Sequence, residues 1–160
     1  MRFYLVDRIT KMDIGNSIEG IKCWTLTDEI FNEHFPGFPV VPGVLIIESM
    51  AQLTGFLAEQ SHMEQFPKKD GFFVLLSMIH KAKFRDYVIP GDKCEITGTI
   101  KSLDLNRCST TAKAYVDQKL MVEAELSFVI VPKNKLPENR FINKREEYIQ
   151  ILLNKRPVRK

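Results

Sequence analysis

Apolar and polar positions change rhythm three times along the chain. VDRITKMD and SIEGIKCWTLT, on either side of the turn residues IGNS, alternate loosely and are rich in strand formers, which predicts a β-hairpin. Asp28 then stands where a side-chain cap would open a short helical turn, EIFNE. From Gly43 to about Gln60 the spacing becomes helical. Val44, Leu45, Ile46, Ile47, Met50, Ala51, Leu53, Phe56 and Leu57 cover most of that helix's circumference, and a helix apolar nearly all round is buried. After a polar connection, SHMEQFPKKDG, alternation returns. FFVLLSMIHKAKFRDYV is long enough for one bent strand or two, and IPGD puts Pro90 and Gly91 where a type II turn prefers them. KCEITGTIKSL, RCSTTAKAYVD and KLMVEAELSFVIV follow at short spacing, as in an antiparallel meander.

One buried helix and about six mostly consecutive strands predict an α+β domain, a curved antiparallel sheet wrapped round the helix. Residues 1–132 hold this pattern. Residues 133–160 read as a polar linker and an amphipathic segment, REEYIQILLNK, with Tyr148, Ile149, Leu152 and Leu153 near helical spacing. The segment fits a helix packed on this or a neighbouring subunit; a membrane-surface or partner helix is the other reading.

Composition adds limits. The chain has 160 residues, enough for one domain with a sizeable core. It is 44% hydrophobic and 27% charged, the balance of a soluble globular protein. No apolar run reaches the roughly 18 residues of a membrane span, and MRFYLVDRIT lacks the apolar core of a secretory signal. Cys23, Cys94 and Cys108 have no metal-ligand spacing and read as reduced thiols of a cytoplasmic protein. The net charge of +3 is gathered partly in the tail, without the dense basic stripe a nucleic-acid partner would need.

The chemistry concentrates in NEHFPGFPVVPGVLIIESMAQ. Pro36, Pro39 and Pro42 recur every three residues and fix φ at each. A PxxP ligand is one reading, but Phe35, Phe38, Val40 and Val41 between the prolines suit a stiff packed loop that sets the position of His34. Pro42 and Gly43 open the helix with unpaired N–H groups and no capping side chain. This is an ordinary proline start, or an oxyanion site in which the bare Gly43 admits a carbonyl oxygen. Glu48 lies five residues on among Ile46, Ile47, Met50 and Ala51, where desolvation would favour its protonated form. Gln52, one turn later, is placed to hydrogen-bond it. Taken singly, Glu48 could be a solvent-facing helix edge and His34 a satisfied core histidine. Together they make a base and an acid in contrasting environments, which fits β-elimination next to a thioester carbonyl without a metal.

The stretch HFPGFPVVPGVLIIESMAQ resembles the signature of the 3-hydroxyacyl-[acyl-carrier-protein] dehydratases of the FabZ type: His-Phe-Pro-Gly, two prolines, Pro-Gly-Val-Leu, then Glu and Ala-Gln. LVDRI, KAKFRDYVIPGD and AKAYVDQKLMVEAELSF extend the resemblance over roughly residues 4–131. It implies a hotdog fold and loss of water from a 3-hydroxyacyl thioester on acyl carrier protein, giving the trans-2-enoyl form with no cofactor. It implies His34 as base, Glu48 of a partner subunit as acid, and Gly43 as carbonyl donor, with Pro36, Pro42 and Gln52 supporting them. The assembly implied is a homodimer, commonly three dimers to a hexamer. Glu48 in place of Asp implies dehydration without isomerisation. Lys81, Lys83 and Arg85 are candidates for contact with an acidic carrier or form a solvated face, and Phe72 or Phe73 for a tunnel gate. His62 and His80 read as surface or core residues. Glu33, where the family usually has glycine, and the long tail depart from the pattern. A coenzyme A thioesterase or hydratase and a non-catalytic relative binding the carrier are the competing readings.

Overall fold

A computed structural model describes residues 3–67, 71–135 and 142–153. Strands β1 (Arg8–Asp13) and β2 (Ser17–Cys23) form the expected hairpin. A single 3-10 turn follows at Glu29–Asn32, then the long helix α1 (Gly43–Gln65). Strands β3 (Phe72–Phe84), β4 (Lys93–Leu103), β5 (Arg107–Val116) and β6 (Lys119–Pro132) complete one antiparallel sheet, in the order β1-β2-β4-β5-β6-β3. A short 3-10 turn, Lys133–Lys135, and the helix α2 (Ile142–Leu153) come last.

The strand period of two decides which residues meet α1. Cys94 and Ile96 on β4, Cys108, Ala112 and Ala114 on β5, and Val122, Ala124, Leu126 and Phe128 on β6 all face inward and are buried. Opposite them α1 buries Ile46, Ile47, Met50, Leu53, Phe56 and Leu57. The outer face is polar, with hydroxyl pairs such as Thr99 and Thr111 at 2.7 Å. Two glycines let the helix come close. A Cβ on Gly20 would lie 2.8 Å from Leu53 Cδ1, and one on Gly98 would collide with the Thr54 methyl.

Two local expectations change, and a choice left open between one bent strand and two falls to the first. Asp28 precedes the 3-10 turn but makes no side-chain cap; its carboxylate instead accepts from the Thr25 N–H at 3.3 Å, on the preceding side. The helix α1 continues past Gln60 to Gln65, because its polar last turn is tied into the fold. Ser61 Oγ accepts the Gly15 N–H at 2.8 Å, and buried His62 donates from Nε2 to Leu105 O at 3.1 Å. The FFVLL segment forms one strand of 13 residues, its bend absorbed by register shifts at Leu76/Met78 and Ile79/Lys81. The type II turn at Pro90-Gly91 has Gly91 at φ +99°, with Asp92 N–H donating to Ile89 O.

Of the C-terminal extension, residues 136–141 and 154–160 lie outside the described residues. The amphipathic stretch within it is α2, which packs on β1 of its own chain and buries Leu152. Leu153, expected on the apolar face, is exposed instead.

Candidate active site

The proline loop is a small closed ring. His34 O accepts the Val40 N–H at 2.9 Å, and inside it Phe35 and Phe38 exchange backbone hydrogen bonds at 3.1 and 3.0 Å. Gly37 takes φ +79° at the tip, a conformation that favours glycine. The His34–Phe35 peptide is cis, and the two rings stack at 4.2 Å. Pro36 is exposed on the loop, whereas Pro42 is buried at its root.

The ring also fixes the chemistry of His34. Its Nδ1 lies 2.8 Å from Val40 O, and a carbonyl oxygen only accepts. The proton of a neutral imidazole is therefore on Nδ1, which leaves Nε2 as the basic nitrogen. Glu33 is exposed, at φ −121°, a conformation open to any residue, so an acid in this position puts no strain on the loop.

At the start of α1, Leu45 and Ile46 both donate to Pro42 O, and among the described residues nothing accepts the Gly43 N–H. The ring of Phe84, from the end of β3, lies against the Gly43 Cα. Sequence reading did not single out Phe84, since its place depends on how β3 crosses the helix start.

Glu48 sits differently from the deep burial that its neighbours suggested. Ile46, Ile47, Met50 and Ala51 are buried on other sides of α1, and Glu48 itself is only partly covered by one chain. Gln52 makes the expected contact, donating from Nε2 to Glu48 Oε1 at 3.0 Å. It also donates to Phe3 O at 3.1 Å and accepts the Leu5 N–H at 2.9 Å. Its amide thus ties the carboxylate to the N-terminal segment.

Glu48 and Gln52 border a cavity of about 430 Å³ that is otherwise almost wholly apolar. Phe73 lines it; Phe72 does not, and packs edge-on to His62 near the end of α1, at 4.5 Å. His34 is not among the lining residues, so one chain does not bring the histidine and the glutamate into one pocket. The walls contributed by α2 were invisible to sequence spacing.

The three basic residues gather around one acid. Glu123 Oε1 accepts from Arg85 at 2.9 Å and lies 4.0 Å from Lys81, while Lys83 is its cross-strand neighbour. His80 is on the surface, 2.7 Å from Ser127 Oγ. The three cysteines are free, Cys23 exposed and the other two buried.

The FabA-like domain family matches residues 1–125, including the loop, the helix start and Glu48. The chain belongs to this family. Among curated relatives, the 3-hydroxyacyl-[acyl-carrier-protein] dehydratase FabZ of Campylobacter fetus is 42% identical over 132 residues, covering 82% of this chain and 89% of the relative. The FabZ of Nitratiruptor is 44% identical over 140 residues, with the same coverage. Solved structures with the same fold include smu.793 of Streptococcus mutans, bound to acetyl CoA. Its TM-score is 0.61 at 13% identity, over 79% of this chain and 89% of that one. The dehydratase heterocomplex ApeI:P of Xenorhabdus doucetiae gives a TM-score of 0.51 at 18% identity, over 74% and 92%. The α+β architecture is that of the hotdog fold, with α1 held in the curve of the sheet. Among the described residues no helix is long and apolar enough to cross a membrane.

Proposed function

We infer that this FabA-like chain is a 3-hydroxyacyl-[acyl-carrier-protein] dehydratase, a lyase of fatty-acid synthesis. The reading is supported by likeness to FabZ proteins along most of the chain, together with a His34 anchored at Nδ1 and a Glu48 held by Gln52.

The reaction proceeds as follows. His34 Nε2 removes the proton from C2 of the 3-hydroxyacyl thioester, and negative charge moves to the thioester oxygen. The Gly43 N–H and the positive end of α1 stabilise that charge. The C3–O bond then breaks, Glu48 gives its proton to the departing hydroxyl, and water leaves with a trans C2=C3 double bond behind it. The imidazolium and carboxylate return to their starting forms by exchange with solvent. No cofactor enters this balance. The product is the 2-enoyl thioester, with no further shift of the double bond.

His34 and Glu48 meet across two chains. The support for a second copy is β3, an edge strand whose Leu75, Leu76, Met78 and Ile79 are between 39 and 55% exposed. A long apolar edge pairs readily with another strand, and a second β3 continues the sheet. The assembly is a homodimer, three of which form the hexamer that the resemblance implies. Lys81, Lys83 and Arg85 meet the acidic carrier, Phe73 gates the cavity, and the exposed and buried free thiols suit the reducing cytoplasm.

The test is conversion of 3-hydroxyacyl-carrier substrates by the wild type and by His34→Ala. Water loss by the wild type alone supports the reading. No turnover by a folded wild type at any chain length removes it.

A further inference from the structure

The cavity beside Glu48 is walled on one side by two segments far apart in sequence. Phe3, Tyr4 and Val6 come from the N-terminal segment, and Tyr148, Ile149 and Leu152 from α2. One residue locks the two together. Tyr148 stacks on Tyr4 with ring centroids 3.9 Å apart and planes at 15°. Its hydroxyl donates to Val6 O at 2.6 Å and accepts the Val6 N–H at 3.2 Å. Those are both backbone groups of one residue, so the phenol replaces a missing strand neighbour. Leu152, one turn on, is 5% exposed against the same wall.

We propose that α2 is the end wall of the acyl cavity and that Tyr148, Ile149 and Leu152 set the length of acyl chain this enzyme accepts. The inference rests on the dehydratase reading, and assigns a specificity role to a part of the chain that lies beyond the family match, which ends at residue 125. Three observations carry it. The lining is apolar except for Glu48, Gln52 and the tyrosine hydroxyls, which suits an alkyl chain whose reacting end is at the carboxylate. At ~30 Å³ for each methylene-sized group, the volume admits on the order of ten carbons. The wall is joined to the site by hydrogen bonds: Gln52 binds Phe3 O and the Leu5 N–H with the same amide that holds Glu48.

Burial makes the wall a steep filter. Each methylene that finds room gains about fourfold in kcat/KM, and each that meets the wall forfeits that gain and more. Burial also pushes the Tyr148 hydroxyl up to about 12, so the latch stays protonated and able to donate at neutral pH.

The experiment compares full-length wild type, Ile149→Trp and Ile149→Ala on short, medium and long 3-hydroxyacyl-carrier substrates, with KM and kcat measured separately. Thermal unfolding checks that each variant folds. The tryptophan variant is expected to lower the long-to-short ratio of kcat/KM at least tenfold, mainly through KM, and the alanine variant to raise it. Parallel profiles for all three proteins, in the presence of wild-type activity, overturn the role of α2 and leave the dehydratase standing. A folded wild type inactive at every length overturns the dehydratase reading itself, and the wall proposal with it.

Discussion

The ring of Phe84 occupies the place where a side chain on Gly43 would have to be, with its nearest carbon 2.5 Å from the position of a Cβ. The helix start is therefore bare on one side because an aromatic from the end of β3 covers it. Gly43→Ala is expected to cost about 1–3 kcal/mol, the usual penalty for overpacking. Phe84→Ala in the same chain should recover most of that stability. Thermal unfolding of the two single variants and the double variant measures the coupling; additive losses would mean that the ring simply swings aside.

The proposed division of the site between two chains has a distinctive signature. His34→Ala and Glu48→Gln should each lower kcat by about 10²–10⁴ as pure proteins. Dissociated, mixed and reassociated in equal amounts, they should recover about a quarter of wild-type activity, because half of the dimers then carry one intact pair. A mixture as inactive as its components would place the base and acid within one chain.

Glu123 holds the three basic residues in check, which gives the proposed carrier contact a test in both directions. Lys83→Glu should raise KM for carrier-bound substrate several-fold and leave a short coenzyme A thioester much less affected. Glu123→Gln should lower KM for the carrier substrate. Both effects should shrink as salt is raised, since rim charges act mainly through long-range attraction. Equal effects on both substrates would exclude carrier contact at this patch.

The buried thiols set a pH limit. Desolvation pushes Cys94 from 9.0 up to about 12 and Cys108 up to about 11. Raised values in the folded state mean that folding holds these protons more tightly than the unfolded chain does. Their contribution to stability is complete below pH 9.0 and is lost as pH rises from there through about 11 and 12. The urea midpoint should fall across that range, less steeply in Cys94→Ala. At mildly alkaline pH an alkylating reagent should modify exposed Cys23 quickly, and the other two only after unfolding.

Local patterns were legible where one element carries the whole signal. The start of α1 follows from Pro42-Gly43, and the Glu48–Gln52 contact follows from their spacing of four. The end of α1 was not legible, because Ser61 and His62 look like solvent residues until Gly15 and Leu105 arrive as partners. Glu48 looked buried because its sequence neighbours are apolar, but those neighbours occupy other sides of the helix. The amphipathic tail could be recognised as a helix, yet what it covers depends on a contact between Val6 and Tyr148, 142 residues apart. No periodicity reports a contact of that range.

Gly20 and Gly98 restrict how this chain can drift. Neither lines the cavity, and alanine at either would leave the alternation of apolar and polar residues intact. Yet a methyl at Gly20 meets Leu53 and Arg8 O, and one at Gly98 meets Thr54, so the helix must lift away from the sheet. The helix is held close to the sheet at Leu53 and Thr54, and Glu48 lies about one and a half turns from them toward its N-terminal end. Substitutions that look silent by composition would thus be read out at the carboxylate, as lost turnover in a protein that still folds.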